Sequence, residues 1–157
     1  MLAEINTILY ATDLQSESDS ALSMAMSLAE KYQAKVVFLN VIEPINPNVY
    51  AWGGRESWHE IEKEALNRSL STSKQRLDDF FSQELPSDTS IDRPSVKVIN
   101  GYVTQTILDC ADEIDADLIV MGSNGHGVIS ELLIGSVADK VVRLSKRPVL
   151  LTPIAEE

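Results

Sequence analysis

The sequence predicts an α/β protein, a three-layer sandwich with helices on both faces of a five-stranded parallel sheet. First, short apolar runs alternate along the chain with amphipathic segments of helical period, which is typical of βαβ units. Second, the run KVVFLNVI at 35–42 is almost continuously apolar, as strands covered on both faces are. The length of 157 residues fits one domain, residues 1–157, with a sizeable core.

Each predicted strand is a short apolar run that ends at a turn or a polar segment. The first is INTILYA, and the third, SVKVIN, alternates in polarity until Gly101 breaks it. The fourth, DLIVMG, leads straight into a glycine-rich stretch, and the fifth, RPVLLTPI, ends the series. The five predicted strands are 5–11, 35–42, 95–100, 117–122 and 147–154.

Each predicted helix carries apolar residues on one face. In the first, Leu22, Ala25, Met26 and Ala29 recur at i, i+3, i+4 and i+7, which is the spacing of a buried helical stripe. Ser57 is the expected N-cap of the second and longest helix, because a serine oxygen can accept from the first turn. The four predicted helices are 16–32, 57–85, 103–114 and 135–146.

Composition excludes several classes of partner. The formal net charge is −11, which opposes binding to nucleic acid and to anionic membranes, because both are polyanions. No apolar stretch approaches the roughly 18 residues of a membrane span, and the first residues lack the pattern of a secretion signal. Cys110 is the single cysteine, so no intrachain disulfide is expected. We therefore expect a cytoplasmic protein that binds neither nucleic acid nor membrane.

Two polar features follow predicted strands. Asp13 comes after the first strand, and a stretch holding four of the seven glycines comes after the fourth. Ligands of open parallel sheets lie beyond the carboxyl ends of the strands, where the strand order reverses. If the first and fourth strands are neighbours, Asp13 and the glycines face one crevice.

The glycine stretch suits a phosphate group held by backbone. Gly135 and Ser136 precede an apolar-periodic run, so they lie at a helix N-terminus, where unpaired N–H groups and the helix dipole favour an anion. The stretch lacks the lysine of a Walker A loop, and GHGVIS has Ser130 where a dinucleotide fingerprint requires glycine. What fits is the spacing Gly122-x2-Gly125-x9-Gly135-Ser136.

With this spacing the chain resembles the nucleotide-binding branch of the universal stress protein family. The segments ILYATDLQSESDSAL, GYVTQTILDCADEIDADLIVMGSNG and LLIGSVADKVVRLSKRPVLLTPI are also similar to that family. The resemblance covers nearly the whole chain and is weakest from about residue 43 to 93. It implies an adenine nucleotide alpha hydrolase-like, Rossmann-like fold with strand order 3-2-1-4-5.

The resemblance also implies a ligand, ATP or another adenine nucleotide, with Mg²⁺ bound through the nucleotide. Asp13 would meet the ribose hydroxyls or the Mg²⁺, and Val41 would contact adenine through its backbone. No catalytic residue and no dedicated metal site are assigned. The implied nucleotide-binding residues are Ala11, Thr12, Asp13, Val41, Met121, Gly122, Ser123, Gly125, His126, Gly127, Gly135, Ser136 and Val137.

Several alternatives remain open at the level of sequence. Asp13 is alternatively an ordinary loop acid, Ser136 a simple cap of the last helix, and His126 a solvated loop residue. The whole chain is a nucleotide-dependent stress-response module, a slow Mg²⁺-dependent ATPase in which His126 assists Asp13, or a dimeric adaptor without nucleotide.

The fifth strand indicates a homodimer. Val149, Leu150 and Leu151 are all apolar, and an uncovered apolar edge strand invites aggregation. In the family that the chain resembles, fifth strands pair across a two-fold axis, and we expect the same here. The alternative is that the C-terminal tail covers this edge within one chain.

Overall fold

Strands and helices alternate along the chain in the computed structural model, which describes residues 1–15, 19–44, 54–85, 91–123 and 134–153. The strands are β1 (Thr7–Thr12), β2 (Lys35–Ile42), β3 (Ser95–Asn100), β4 (Leu118–Gly122) and β5 (Val149–Thr152). The helices are α1 (Ser20–Tyr32), α2 (Gly54–Gln83), α3 (Val103–Glu113) and α4 (Ser136–Leu144). The predicted α/β class is confirmed.

The starts of two helices differ most from the prediction: α1 begins at Ser20 rather than at residue 16, and α2 also has a different start. This helix begins at Gly54, so Ser57 lies inside it and the prediction that Ser57 caps it is wrong. A glycine at the first helical position costs less than one in the interior, because the first N–H groups have no intrahelical partner in any case. The bounds of β2 and β3 are those predicted.

The five strands form one parallel sheet in the order β3-β2-β1-β4-β5, which confirms the order expected from the family resemblance. β1 lies between β2 and β4, with Leu9 paired to Val37 on one side and to Ile119 on the other. Asp117 joins β1 to β4 at their amino ends. Its Oδ2 accepts from the backbone N–H of Asn6 at 2.7 Å and of Thr7 at 3.0 Å.

Helices α1 and α2 cover one face of the sheet, and α3 and α4 cover the other. Alternate strand residues point to opposite faces, so Tyr10 and Phe38 pack under α1 and α2, whereas Leu9 and Leu39 pack under α3 and α4. Cys110 of α3 is 1% exposed and is a free thiol, as expected for a small buried hydrophobe. Burial raises the pKa of this thiol. Within the described ranges, no helix is both long and apolar enough to cross a membrane.

Candidate nucleotide site at the carboxyl edge of the sheet

The strand order reverses between β1 and β4, which are hydrogen-bonded neighbours with Tyr10 paired to Val120. Their carboxyl ends therefore meet at one edge of the sheet. Asp13 follows β1 there, and Gly122 and Ser123 close β4. Because α1, which follows β1, and α4, which follows β4, lie on opposite faces of the sheet, the chain diverges at this edge, where open parallel sheets have their ligand crevice.

Asp13 lies exposed in a tight turn at this edge. Its Oδ1 accepts from the backbone N–H of Gln15 at 2.9 Å, and the Thr12 Oγ1 accepts from the N–H of Leu14 at 3.1 Å. Leu14 has a φ of 62°, in the left-handed region. For a residue with a Cβ atom that conformation costs about 1–2 kcal/mol. The turn that presents Asp13 is thus held against the local preference of the chain.

The start of α4 lies against the end of β4. The Gly135 N–H donates to the Ser123 carbonyl at 2.7 Å, and the Ser123 N–H donates to the Thr152 carbonyl of β5 at 2.8 Å. These two bonds fix where α4 begins relative to the sheet edge. The first N–H groups of an α-helix have no partner within the helix and attract anions. The first turn of α4 is therefore placed beside the crevice, with its donors suited to a phosphate.

Ser136 is the first residue of α4 and is exposed, while Gly135 is the N-cap residue, without a side-chain cap bond. The alternative in which Ser136 only caps α4 is therefore wrong. The physical reason is that a cap residue precedes the helix, with its side chain turned back to the first turn. The Ser136 hydroxyl instead lies on the exposed side of the helix start.

Four other predicted site residues belong to the apolar core on the α3/α4 face of the sheet. Ala11 and Met121 are buried, with exposures of 6% and 7%, and Val41 and Val137 are half-buried against the same core. Their side chains are used in packing, so contact of Val41 with a ligand would involve its backbone, as the sequence predicts. Gly125, His126 and Gly127 lie outside the described residues.

Among the described residues, Arg76 and two acids act on the Asp19 carboxyl near this edge. Burial raises the pKa of the Asp19 carboxyl at the start of α1, Arg76 lowers it, and Glu84 and Asp79 raise it further. Burial also raises the pKa of the Tyr10 phenol, which a hydrogen bond with Thr12 partly offsets. Among the residues that the structure describes, no group of three or more His, Cys, Asp or Glu could hold a metal ion.

Comparison with known proteins assigns the family. The model of the universal stress protein family matches residues 4–153. The chain belongs to the universal stress protein family. The universal stress protein Sll1654 of Synechocystis sp. is 33% identical over 147 residues, or 94% of this chain and 85% of that one.

Solved universal stress proteins share the fold. UspA from Lactobacillus plantarum superposes with a TM-score of 0.74 at 22% identity, covering 96% of this chain and 99% of that chain. A universal stress protein in complex with cAMP gives a TM-score of 0.60 at 24% identity, covering 98% of this chain and all (100%) of that one. The strand order and the two helical layers of this universal stress protein are thus those of its structural relatives.

The structure adds three residues to the site of this universal stress protein that the sequence analysis missed. Asn40 is 5% exposed, and its Nδ2 donates to the Thr12 carbonyl at 2.8 Å. The Arg76 guanidinium donates to the Leu14 carbonyl at 3.2 Å, and the Ser69 hydroxyl donates to the Asn40 Oδ1. A signal was available, since Asn40 is the only polar residue between Val36 and Ile42 of an apolar strand. Buried polar side chains of this kind need a partner.

Proposed function

We propose that this universal stress protein binds ATP with Mg²⁺ at the carboxyl edge of its sheet and acts as a nucleotide-dependent regulatory module in the cytoplasm. In this proposal, residues 1–157 form one such domain. The observation that carries it is the hydrogen bond between Gly135 and Ser123. This bond sets the anion-attracting start of α4 beside β4, and the neighbouring strand β1 is the one that Asp13 follows.

In this proposal, each part of the nucleotide contacts different residues of the edge. The first-turn N–H groups of α4 and the Ser136 hydroxyl face the phosphates, because helix N-termini attract anions. Asp13 meets the ribose hydroxyls or the Mg²⁺, since it is exposed at the end of the neighbouring strand. Gly125, His126 and Gly127 belong to the same proposed phosphate path on the strength of the family resemblance.

Mg²⁺ is part of the proposal because of charge. The chain carries a formal net charge of −11, and Asp13 and Asp19 add negative charge at this edge. Mg²⁺ bound to the nucleotide would neutralise part of the phosphate charge. The ion would arrive with the nucleotide, since the described residues offer no cluster that could hold it alone. The complex of one family member with cAMP supports an adenine nucleotide as the ligand class.

Calorimetric titration with Mg²⁺-ATP tests this function. We expect saturable binding by the wild type, and Asp13→Asn should weaken it about 10- to 100-fold, as expected for loss of a charged hydrogen-bonding group. Asp92→Asn is the matched control, because Asp92 is exposed at the opposite, amino-terminal side of β3. A silent wild-type titration would refute nucleotide binding and leave a nucleotide-free adaptor. Equal affinity in wild type and Asp13→Asn would remove Asp13 from the site.

Turnover separates the regulatory module from the slow ATPase. We expect no formation of ADP above background during prolonged incubation with Mg²⁺-ATP, because in this proposal Asp13 is engaged with the ribose hydroxyls or the Mg²⁺ and does not activate water. Steady product formation that Asp13→Asn abolishes would instead assign a slow ATPase.

We further propose a homodimer through β5. This strand is at the edge of the sheet, and Val149, Leu150 and Leu151 are only half-buried. Pairing of two β5 strands would provide hydrogen-bond partners for the backbone groups at the outer edge of β5 and would cover these side chains. Sedimentation velocity should show a dimer at micromolar concentration. A monomer across the whole micromolar range would exclude this assembly.

A further inference from the structure

Side chains from distant segments hold the backbone on both sides of Asp13. Asn40 in β2 donates to the carbonyl of Thr12, at 2.8 Å, and Arg76 in α2 donates to the carbonyl of Leu14, at 3.2 Å. Asn40 is 28 positions from Thr12 along the chain, and Arg76 is 62 positions from Leu14. The carboxylate between these anchored carbonyls is exposed.

The two anchors are connected through one face of α2. Ser69 donates to the Oδ1 of Asn40, and this hydrogen bond is buried. Ser69 and Arg76 are seven positions apart, two helical turns, so they lie on the same side of α2. That side packs on the sheet through Leu77 and Phe80, which are each 3% exposed. We call Asn40, Ser69 and Arg76 the Asp13 clamp.

The turn needs such a clamp because of its conformation. Leu14 has a φ of 62°, which residues with a Cβ atom rarely adopt. The hydrogen bonds within the turn involve the N–H of Leu14 and of Gln15. The bond from Arg76 is the one that reaches the turn from α2 and holds the Leu14 carbonyl. Without it, the Leu14 carbonyl loses its hydrogen bond to α2.

We propose that the Asp13 clamp, and Arg76 above all, positions Asp13 for the ribose hydroxyls and so sets the preference of the site for a nucleotide with an intact ribose. This inference rests on the proposed ATP-binding function. Arg76 acts through the Leu14 carbonyl and is a positioning residue. Its loss therefore lowers the contribution of the ribose hydroxyls to nucleotide affinity, while the phosphate contacts at α4 remain.

The test compares Mg²⁺-ATP with Mg²⁺-2′,3′-dideoxy-ATP, which lacks both ribose hydroxyls. The wild type should bind ATP at least about 10-fold more tightly, as expected for hydrogen bonds to a charged group. Arg76→Met keeps the length of the side chain and removes its donors, and should reduce this ratio below about threefold. Affinity for the dideoxy compound should stay within about twofold. Arg76→Lys, which keeps a donor, should recover part of the ratio.

Lys74→Met is the matched control. Lys74 is an exposed cation of α2, two residues before Arg76, so its removal causes the same change in net charge away from the turn. It should leave the ratio unchanged. An unchanged ratio in Arg76→Met would overturn the proposal. Equal losses of ATP and dideoxy-ATP affinity in Arg76→Met would also overturn it, because general structural damage has that effect.

Amide hydrogen exchange in the absence of nucleotide tests the clamp apart from ATP binding. Exchange of the Leu14 and Gln15 amides should accelerate at least about 10-fold in Arg76→Met, as local opening becomes cheaper, and should not change in Lys74→Met. If the Leu14 and Gln15 amides exchange in Arg76→Met as slowly as in the wild type, the clamp is refuted, even if ATP binds. A wild type that binds neither nucleotide would refute the proposed function and, with it, the ribose preference, whatever the exchange rates.

Discussion

The two ends of β1 use aspartate in opposite ways. At the amino edge of the sheet, the Asp117 carboxylate is taken up by the backbone, because one of its oxygens accepts from the N–H groups of Asn6 and Thr7. At the carboxyl edge, Asp13 is exposed, and side chains hold the backbone around it. The first arrangement joins two strands, and the second presents a charge.

Arg147 at the amino edge and Arg76 at the carboxyl edge differ in a similar way. Arg147, just before β5, donates to the Ala116 carbonyl and is paired with Asp112 and Asp115, both at 3.3 Å, and its side chain is 21% exposed. Its charge is thus matched by acids at the amino edge. Arg76 donates to the Leu14 carbonyl beside Asp13. The comparison teaches that the acids at the amino edge are taken up by backbone groups and by Arg147, whereas Arg76 at the carboxyl edge holds the turn that exposes Asp13.

The largest expected effect comes from adding a side chain at the carboxyl edge. In Gly122→Val, the new side chain would fill the space proposed for the phosphates. ATP affinity should fall at least about 100-fold, or about 2.8 kcal/mol. The unfolding free energy should change by less than about 1 kcal/mol, because valine is well tolerated in strands. Calorimetry and urea denaturation measure the two quantities.

Ser95→Val provides the control for this variant. Ser95 is exposed at the amino end of β3, so the substitution adds a side chain of the same kind at the opposite edge. ATP affinity should stay at the wild-type value. A comparable loss in Ser95→Val, or none in Gly122→Val, would break the assignment of binding to the carboxyl edge.

The second effect should appear in stability alone. Asp117→Ala leaves the N–H groups of Asn6 and Thr7 without their carboxylate acceptor. The unfolding free energy should fall by about 2 kcal/mol, the range for hydrogen bonds to a charged group. Urea denaturation measures this loss, and Glu4→Ala, at an exposed nearby acid, should cause almost none. A larger effect of Asp117→Ala on ATP affinity than on stability would contradict the division between the edges.

The smallest effect concerns pH. Burial raises the pKa of Asp19 in the folded protein, so folding takes up a proton in the pH range just above the ordinary pKa of aspartate. The contribution of Asp19 to stability therefore falls as pH rises through that range, and its charged carboxylate lowers stability at neutral pH. Asp19→Asn should stabilise the protein at pH 7 by at most about 0.5 kcal/mol, because solvent screens a partly exposed group. Asp19 precedes α1 without a side-chain cap bond, so the substitution removes no such bond.

Thermal unfolding between pH 3 and pH 8 measures this difference. The curves of wild type and Asp19→Asn should converge at the acidic end, where the Asp19 carboxyl is protonated in both the folded and unfolded states. Asp92→Asn, at an exposed acid, should follow the wild type throughout. Destabilisation by Asp19→Asn at pH 7 would show that the carboxylate at this edge contributes to stability, against the comparison.

The sequence by itself determined the elements of this protein and their class. Apolar runs and helical stripes are local patterns, and they predicted β2 and β3 with the bounds that the structure has. Glycine spacing and strand-end position also indicated Asp13, Gly122 and Gly135 as site residues, because helix starts and strand ends can be recognised from neighbouring residues. The start of α2 was missed, since a Gly-Gly pair ordinarily marks a turn or loop.

Only the tertiary structure decided which side chains hold the site together. Asn40 reaches Thr12 from 28 positions away, and Arg76 reaches Leu14 from 62 positions away, as a consequence of how β2 and α2 lie against β1. Ser69 in turn reaches Asn40 from 29 positions away. No periodicity specifies such contacts, because they depend on which strands become neighbours and on the face that each helix covers. The same holds for Asp117, whose two backbone partners are more than a hundred positions away in the chain.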